Sequence, residues 1–90
     1  MPLKLERHKQ FKKDIIKVRF ADSQFEKFLQ YSVLLLNQDT LPAESRSHTL
    51  KGEWDGCSEL HIGGDLLLIY VIKNNSLILI RIGTHSQLFK

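Results

Sequence analysis

The sequence predicts a single α+β domain over residues 1–90, with a short N-terminal strand and a two-helix hairpin packed on an antiparallel sheet. Two apolar runs, residues 66–72 and 77–82, are joined by Asn74-Asn75, which predicts a β-hairpin because Asn tolerates the positive φ of a tight turn. A further strand is expected before the Gly63-Gly64 turn, so the C-terminal part is predicted to be a three-strand meander. Earlier in the chain, the hydrophobic period changes from two residues to that of a helix.

The N-terminal segment predicts a short strand followed by an amphipathic helix. Residues 3–7 alternate apolar and polar side chains, as in a strand added to the sheet. The helix is expected from about Lys9 until Ala21-Asp22, with basic residues on its outer face. Its apolar positions at i, i+4 and i+7 are Phe11, Ile15 and Val18.

A second helix is predicted after Ser23, which reads with Glu26 as a capping box. It is expected to end near Asn37 and to form a helical hairpin with the first helix. The stripe predicted to be buried comprises Phe25, Phe28, Leu29, Ser32, Val33, Leu35 and Leu36.

Residues 37–47 are polar and contain Leu41-Pro42, so they predict a loop. Gly56 is expected to open the first meander strand, and Gly63-Gly64 the turn after it. Two-residue turns at Gly63-Gly64 and Asn74-Asn75 would set Glu59 opposite Leu68, His61 opposite Leu66, Leu68 opposite Arg81, Ile69 opposite Ile80 and Tyr70 opposite Leu79.

This register divides the meander into two faces, since cross-strand partners share a face. The predicted core face, expected to receive the helices, carries Leu60, Leu67, Ile69, Val71, Ile78, Ile80 and Ile82. The predicted mixed face carries Glu59, His61, Leu66, Leu68, Tyr70, Leu77, Leu79 and Arg81. The mixed face brings a carboxylate, an imidazole and a guanidinium together.

Composition and charge narrow the class of protein. A net charge of +3 and a pI near 9.2 favour an anionic partner such as nucleic acid or an acidic protein segment. The single cysteine, Cys57, excludes an internal disulfide and fits a reducing compartment. The charged N-terminus is unlike a signal peptide, and no apolar run is long enough to span a bilayer. A cytoplasmic protein with no membrane partner is expected.

Histidine and acidic residues near the meander predict acid–base chemistry. His48, His61 and His85 lie at transitions between elements, and Glu59 and Asp65 are close to them in the chain. Imidazole exchanges protons near neutral pH, which suits cleavage of a phosphodiester. Arg81 or Lys51 would stabilise the charge that develops on phosphorus. No metal is required for attack by a ribose 2′-OH.

Other interpretations remain open for these residues. Each histidine taken singly is more often structural, and Trp54 is more often used in packing than in stacking on a base. Phe89 serves packing as readily as stacking on a base. A zinc site is the competing chemistry. Its ligands would be His48, His61, Asp65 and His85, although their spacing matches no compact zinc motif.

Four segments in order resemble the YafQ branch of the RelE/ParE superfamily of bacterial toxins. They are residues 48–54 (HTLKGEW), 59–65 (ELHIGGD), 67–70 (LLIY) and 83–89 (GTHSQLF). The order of elements also resembles a RelE-like fold over essentially the whole chain. The resemblance implies the toxin of a type II toxin–antitoxin pair, an mRNA endoribonuclease that commonly acts on ribosome-engaged message and is silenced by a bound antitoxin.

The resemblance also assigns roles to residues. It implies that His48, His61, Asp65 and His85 are active-site residues, with Glu59 at an acidic position of the family. His85 would protonate the leaving 5′-oxygen, and one of the other four would be the base. The expected RNA-binding residues are Arg81, Phe89, Lys51 and Trp54.

Two further expectations concern proteins. A ParE-like inhibitor that blocks a protein target such as DNA gyrase is the alternative function, although such a protein has no use for the histidine set. The antitoxin is expected to be a disordered acidic or amphipathic segment that folds on this chain.

Overall fold

The computed structural model describes residues 2–89. The helices and strands are β1 Lys4–Arg7, α1 Lys9–Lys17, α2 Asp22–Leu36, β2 His48–Thr49, β3 Ser58–Gly63, β4 Leu66–Lys73, β5 Ser76–Thr84 and α3 His85–Leu88. Short 3₁₀ turns at Ala43–Ser45 and Gly52–Trp54 flank β2. This order confirms the predicted α+β class, the two N-terminal helices and the C-terminal meander. No helix of the described part of the chain is long and apolar enough to cross a membrane.

The five strands form one mixed sheet in the order β1-β5-β4-β3-β2. The meander strands are antiparallel, as is the short β2–β3 pair. β1 joins the sheet as predicted, but it runs parallel to β5, so the expectation of an antiparallel sheet is wrong at this edge. β1 and β5 can be parallel because the long excursion through both helices and the loop separates them in the chain.

Two β-bulges change the predicted register. The Asn74-Asn75 turn is as expected, with φ of 52° and 61°, and Tyr70 lies opposite Leu79. Beyond that point Ile80 is an extra residue, so Ile69 lies opposite Arg81 rather than Ile80. Leu68 correspondingly lies opposite Ile82 rather than Arg81.

The first hairpin deviates in the same way. Gly63 pairs with Leu66, so the turn is Gly64-Asp65 rather than Gly63-Gly64, and Ile62 is the extra residue in β3. The partners of the two functional candidates therefore move by one residue. Glu59 lies opposite Ile69, and His61 lies opposite Leu67.

The shifted register exchanges residues between the predicted faces. The helices cover a main core that contains Leu60, Ile62, Leu66, Leu68, Tyr70, Leu77, Leu79 and Ile82 with Phe11, Tyr31 and Leu35. A second, smaller core on the opposite face contains Leu67, Ile69 and Leu88 with Leu50, Trp54, Cys57, Ile80 and Phe89 packed against it. The predicted faces are therefore wrong as sets, because the bulges reverse the inward and outward alternation along β3 and β5.

The second helix differs from its prediction at its start and in its buried stripe. Ala21 precedes the first turn, and its backbone N–H donates to Oε1 of Gln24 at 2.9 Å, so Ser23 and Glu26 do not form the cap. Tyr31 and Leu35 are the buried residues of α2. Phe25, Leu29 and Val33 were expected to be buried but are about half exposed, at 48%, 49% and 54%. The helix is rotated toward a stripe centred on Tyr31.

Candidate active site

The second core is the floor of the candidate site. Glu59 and His61 share the face of their cross-strand partners Ile69 and Leu67, which are fully or almost fully buried. The segment from Leu50 to Cys57 and the last helix α3 pack against the same apolar cluster. This side of the sheet thus carries polar groups above a rigid apolar base.

Glu59 lies between two histidine rings. Its Oε2 is 3.2 Å from Nε2 of His48 and 3.8 Å from Nε2 of His61. The two ring centroids are 6.4 Å apart. Strand pairing explains this arrangement, because His48 of β2 lies directly opposite Glu59 of β3. A carboxylate at this position orients both imidazole rings.

Exposure separates the roles of these three side chains. Glu59 is only 8% exposed, whereas His61 is 27% and His48 51% exposed. The Nδ1–H of His48 donates to the carbonyl of Arg46 at 2.9 Å, which fixes the ring from its other side. The histidines are therefore accessible to a ligand, and Glu59 acts on them from below.

His85 and Phe89 form a second group on α3. His85 is exposed at the first turn, and its ring centroid is 5.0 Å from that of Phe89. Thr84 begins the helix, because its hydroxyl accepts from the N–H of Gln87 while Gln87 Oε1 accepts from the N–H of Thr84. Leu88 packs with Leu67 and Ile69, so α3 lies on the face that carries His61.

The separation of the two groups follows from the sheet. Leu67 of β4 pairs with His61 on one side and with Gly83 on the other. Two strand spacings, about 10 Å, thus separate the backbones of His61 and Gly83. The Leu67 side chain lies beneath the space between the histidine pair and α3.

The other predicted residues lie around these groups rather than within them. Asp65 is exposed in the turn before β4 and lines a groove with Lys17 and Thr84. Lys51 is exposed, and Trp54 is half-buried against the second core. The Arg81 guanidinium is bound to Asp14 at the edge of the sheet. Arg81 lies opposite Ile69, which lies opposite Glu59, so the register keeps Arg81 on the face of the histidines, one strand beyond Ile69.

The predicted zinc set is not assembled. Within residues 2–89, no three side chains of the types His, Cys, Asp and Glu are placed so that they could hold a metal ion. His48 and His61 are close together, but Asp65 and His85 belong to the groove and to α3.

The sequence did not indicate a role for Asp14. It is the only acidic residue of α1, which is otherwise rich in lysine, and this isolation was the available signal. Its partner Arg81 lies 67 residues further along the chain, so no local pattern predicts the pair.

Known proteins similar to this chain agree with the fold. A family model described as bacterial toxin of type II toxin–antitoxin system, YafQ, matches residues 3–90. A putative toxin YafQ of Haemophilus influenzae is 37% identical, with 96% of this chain and 91% of that protein covered. The mRNA interferase toxin YafQ of Escherichia coli K12 is 33% identical, with 89% of this chain and 88% of the E. coli protein covered.

A solved structure extends the similarity to three dimensions. The E. coli DinJ–YafQ toxin–antitoxin complex contains a chain with a TM-score of 0.84 and 31% identity, and both chains are covered completely. The structural match and the family match both cover all the described strands and helices of this chain. This chain therefore belongs to the YafQ family of bacterial toxins of type II toxin–antitoxin systems.

Proposed function

We propose that this chain is an mRNA interferase, an endoribonuclease that cleaves message by attack of a ribose 2′-OH on the adjacent phosphate without a metal ion. The observation that carries the proposal is the His48–Glu59–His61 group on the face that also bears His85. Relatives named mRNA interferase toxin YafQ, one of them 33% identical, support the same activity.

The reaction needs one proton accepted and one donated. His61 takes the proton of the 2′-OH at Nδ1, while Glu59 lies at its Nε2, holds the ring and stabilises the imidazolium that results. His48, bound to Arg46 through Nδ1, holds Glu59 from the other side. The 2′-oxygen forms a bond to phosphorus as the bond to the 5′-oxygen breaks. The products are a 2′,3′-cyclic phosphate and a free 5′-OH.

His85 is the proposed acid that protonates the leaving 5′-oxygen. It is exposed, and the floor formed by Leu67 separates it from the histidine pair. The scissile phosphate then lies between base and acid, as attack on one side and departure on the other require. The ring of Phe89, 5.0 Å from that of His85, stacks on a neighbouring base.

Charged and aromatic residues around this centre complete the proposed site. Asp65 is exposed at the end of the sheet where β4 begins and β5 ends. It takes part in proton transfer or orients the groups that transfer the proton. Lys51 is exposed and supplies a cation for the RNA backbone, and the half-buried Trp54 stacks on a base through the part of its ring that is not packed on the second core. Arg81 contacts the RNA backbone from the edge of the sheet.

Cleavage of RNA in EDTA tests the chemistry. Purified protein is expected to cut RNA in the presence of the chelator and to leave 2′,3′-cyclic phosphate ends. Failure to cut both free RNA and translated message would reject the proposal. Sequencing the new ends with and without translation determines whether ribosome-engaged message is the required substrate.

The proposed partner is a protein antitoxin. The related YafQ chain from E. coli forms a complex with DinJ. We expect the antitoxin of this chain to carry an acidic or amphipathic segment that folds on binding and closes the basic site. Co-expression of the antitoxin should restore the growth of cells that produce this chain, and addition of the purified antitoxin should stop RNA cleavage.

The histidine side chains distinguish the ribonuclease from a non-enzymatic inhibitor of a protein target. Replacing His48, His61 and His85 together by alanine should remove toxicity if RNA is the target. Toxicity that survives the triple replacement, in protein that remains folded, would contradict the enzyme proposal.

A further inference from the structure

Helix α1 covers the edge of β5 that β1 leaves open. β1 pairs with β5 only over Ser76 to Leu79, although β5 continues to Thr84. Asp14 of α1 fills this position, and its Oδ2 accepts from the backbone N–H of Ile82 at 3.2 Å. An exposed strand edge is thereby closed by a side chain.

The same carboxylate holds Arg81. Oδ2 of Asp14 accepts from Nε at 2.6 Å and Oδ1 accepts from Nη2 at 3.0 Å. The hydrogen bond to Asp14 raises the pKa of Arg81 above its usual value, so the guanidinium stays charged. Of the five N–H groups of a guanidinium, this contact uses two and leaves three on its outer edge.

Two adjoining hollows place that outer edge in a groove. One, of about 240 Å³, is lined by Asp14, Arg81 and Ile82, and the next, of about 310 Å³, by Arg19, Asp65 and Thr84. Lys17, Val18 and Gln87 line both hollows. The groove therefore runs from Arg81, between α1 and the β5–α3 corner, to the candidate active-site residue Asp65.

We propose that Asp14 is the positioning residue that orients Arg81 toward the RNA backbone, and that Lys17, in the groove beside them, binds a backbone phosphate next to the scissile bond. The inference rests on the proposed ribonuclease function and adds Asp14 and Lys17 to it. A guanidinium held by one bidentate contact presents its remaining donors with little loss of side-chain freedom, which strengthens binding to a phosphate. The groove carries the positive charges of Lys17, Arg19 and Arg81 against the negative charges of Asp14 and Asp65.

A double-mutant cycle tests the positioning role. Dissociation constants are measured for an RNA oligonucleotide with methylated 2′-hydroxyls, which cannot be cut, and kcat and KM for the unmodified RNA. We expect R81A to weaken binding about tenfold and D14N about three- to tenfold. The double variant should bind no more weakly than R81A alone, because Asp14 then has no guanidinium to orient.

Lysine variants on two sides of α1 test the groove. K17A removes a charge from the groove, whereas K12A removes the same charge from a position roughly 160° around the helix from Asp14. We expect K17A to weaken RNA binding and to reduce the slope of log affinity against log salt by about 0.7, and K12A to change neither measurably.

Each arm has a result that overturns its part of the proposal. Additive effects of D14N and R81A would overturn positioning, and D14E, which keeps a carboxylate, replaces D14N if that variant fails to fold. If K17A and R81A bind RNA as tightly as the control K12A, the groove does not bind RNA. The same conclusion follows if K17A and R81A lose affinity for the antitoxin but not for RNA. Wild-type protein that cuts no RNA would instead reject the ribonuclease function itself.

Discussion

Glu59 Oε2 lies 3.2 Å from Nε2 of His48, and the Glu59 side chain is only 8% exposed. A buried carboxylate in contact with two imidazoles does not reach RNA, so its effect on cleavage passes through the rings. E59Q preserves shape but removes the charge, and we expect kcat to fall about 10- to 100-fold with KM changed little. Steady-state kinetics with a defined RNA substrate measures both constants.

A matched control for E59Q is E44Q. Glu44 is 63% exposed, and its partner is Lys27 at 3.5 Å, away from the histidine pair. Surface ion pairs of this kind contribute about 0 to 1 kcal/mol, so E44Q should leave both kcat and melting temperature near the wild type. Equal kcat in E59Q and E44Q would show that the carboxylate does not support the histidines.

Two exposed histidines are expected to behave in opposite ways. His85 is exposed and is the proposed acid, so H85A should reduce kcat about 10²- to 10⁴-fold while the melting temperature stays nearly constant. His8 caps α1, since its Nδ1 accepts from the N–H of Gln10 at 3.1 Å. H8A should keep full activity but lose about 0.5–1 kcal/mol of stability, measured by urea denaturation.

The contrast between these variants is diagnostic because both remove an exposed imidazole. A general effect of losing an exposed imidazole would lower activity in both. Normal kcat in H85A would remove His85 from the mechanism.

Leu88 anchors α3, and its loss should impair activity more than global stability. It is 7% exposed and packs on Leu67 and Ile69, whereas the helix it belongs to has only four residues. In L88A the helix should detach locally instead of unfolding the sheet. His85 and Phe89 then lose their positions, and kcat should fall about tenfold or more.

Amide hydrogen exchange distinguishes this local effect. The N–H of Phe89 donates to the carbonyl of His85 at 2.8 Å and should lose protection in L88A. Amides of β4 should keep theirs. Loss of protection throughout the sheet would show that Leu88 belongs to the global folding unit.

The elements of this fold were readable from the sequence because local patterns encode them. Two apolar runs and the Asn74-Asn75 turn predicted β4 and β5, and the period of Phe11 and Ile15 predicted α1. The bulges at Ile62 and Ile80 were not readable, since each is one apolar residue among others. They decide which side chains share a face, so the face assignments failed while the strands were correct.

Long-range contacts limited the site prediction in the same way. His48, Glu59 and His61 could be expected to meet because His48 lies just upstream of the strand that carries Glu59 and His61. The contact of Arg81 with Asp14 depends on α1 lying along the open edge of β5, which no local pattern encodes. Likewise, the period of α2 is compatible with a buried stripe through Leu29 or through Tyr31, and packing selects the second.

Cys57 provides a probe of the second core through its reactivity. Burial raises the pKa of this thiol, and the positive charge of Lys73 lowers it by a smaller effect. A raised pKa leaves less thiolate near neutral pH, and the thiolate is the form that reacts. Iodoacetamide should therefore modify native Cys57 more slowly than the same residue in urea-unfolded protein, with a rate that rises with pH.

The sign of the Lys73 effect gives a second, independent measurement. K73A removes the charge that favours the thiolate, so alkylation of the native protein at pH 8 should become slower still. K4A, which removes an exposed charge from β1, serves as the control and should react at the wild-type rate. Faster alkylation in K73A would indicate that Lys73 shields the thiol sterically, and the second core beneath the histidines would then be more open than Leu67 and Ile69 suggest.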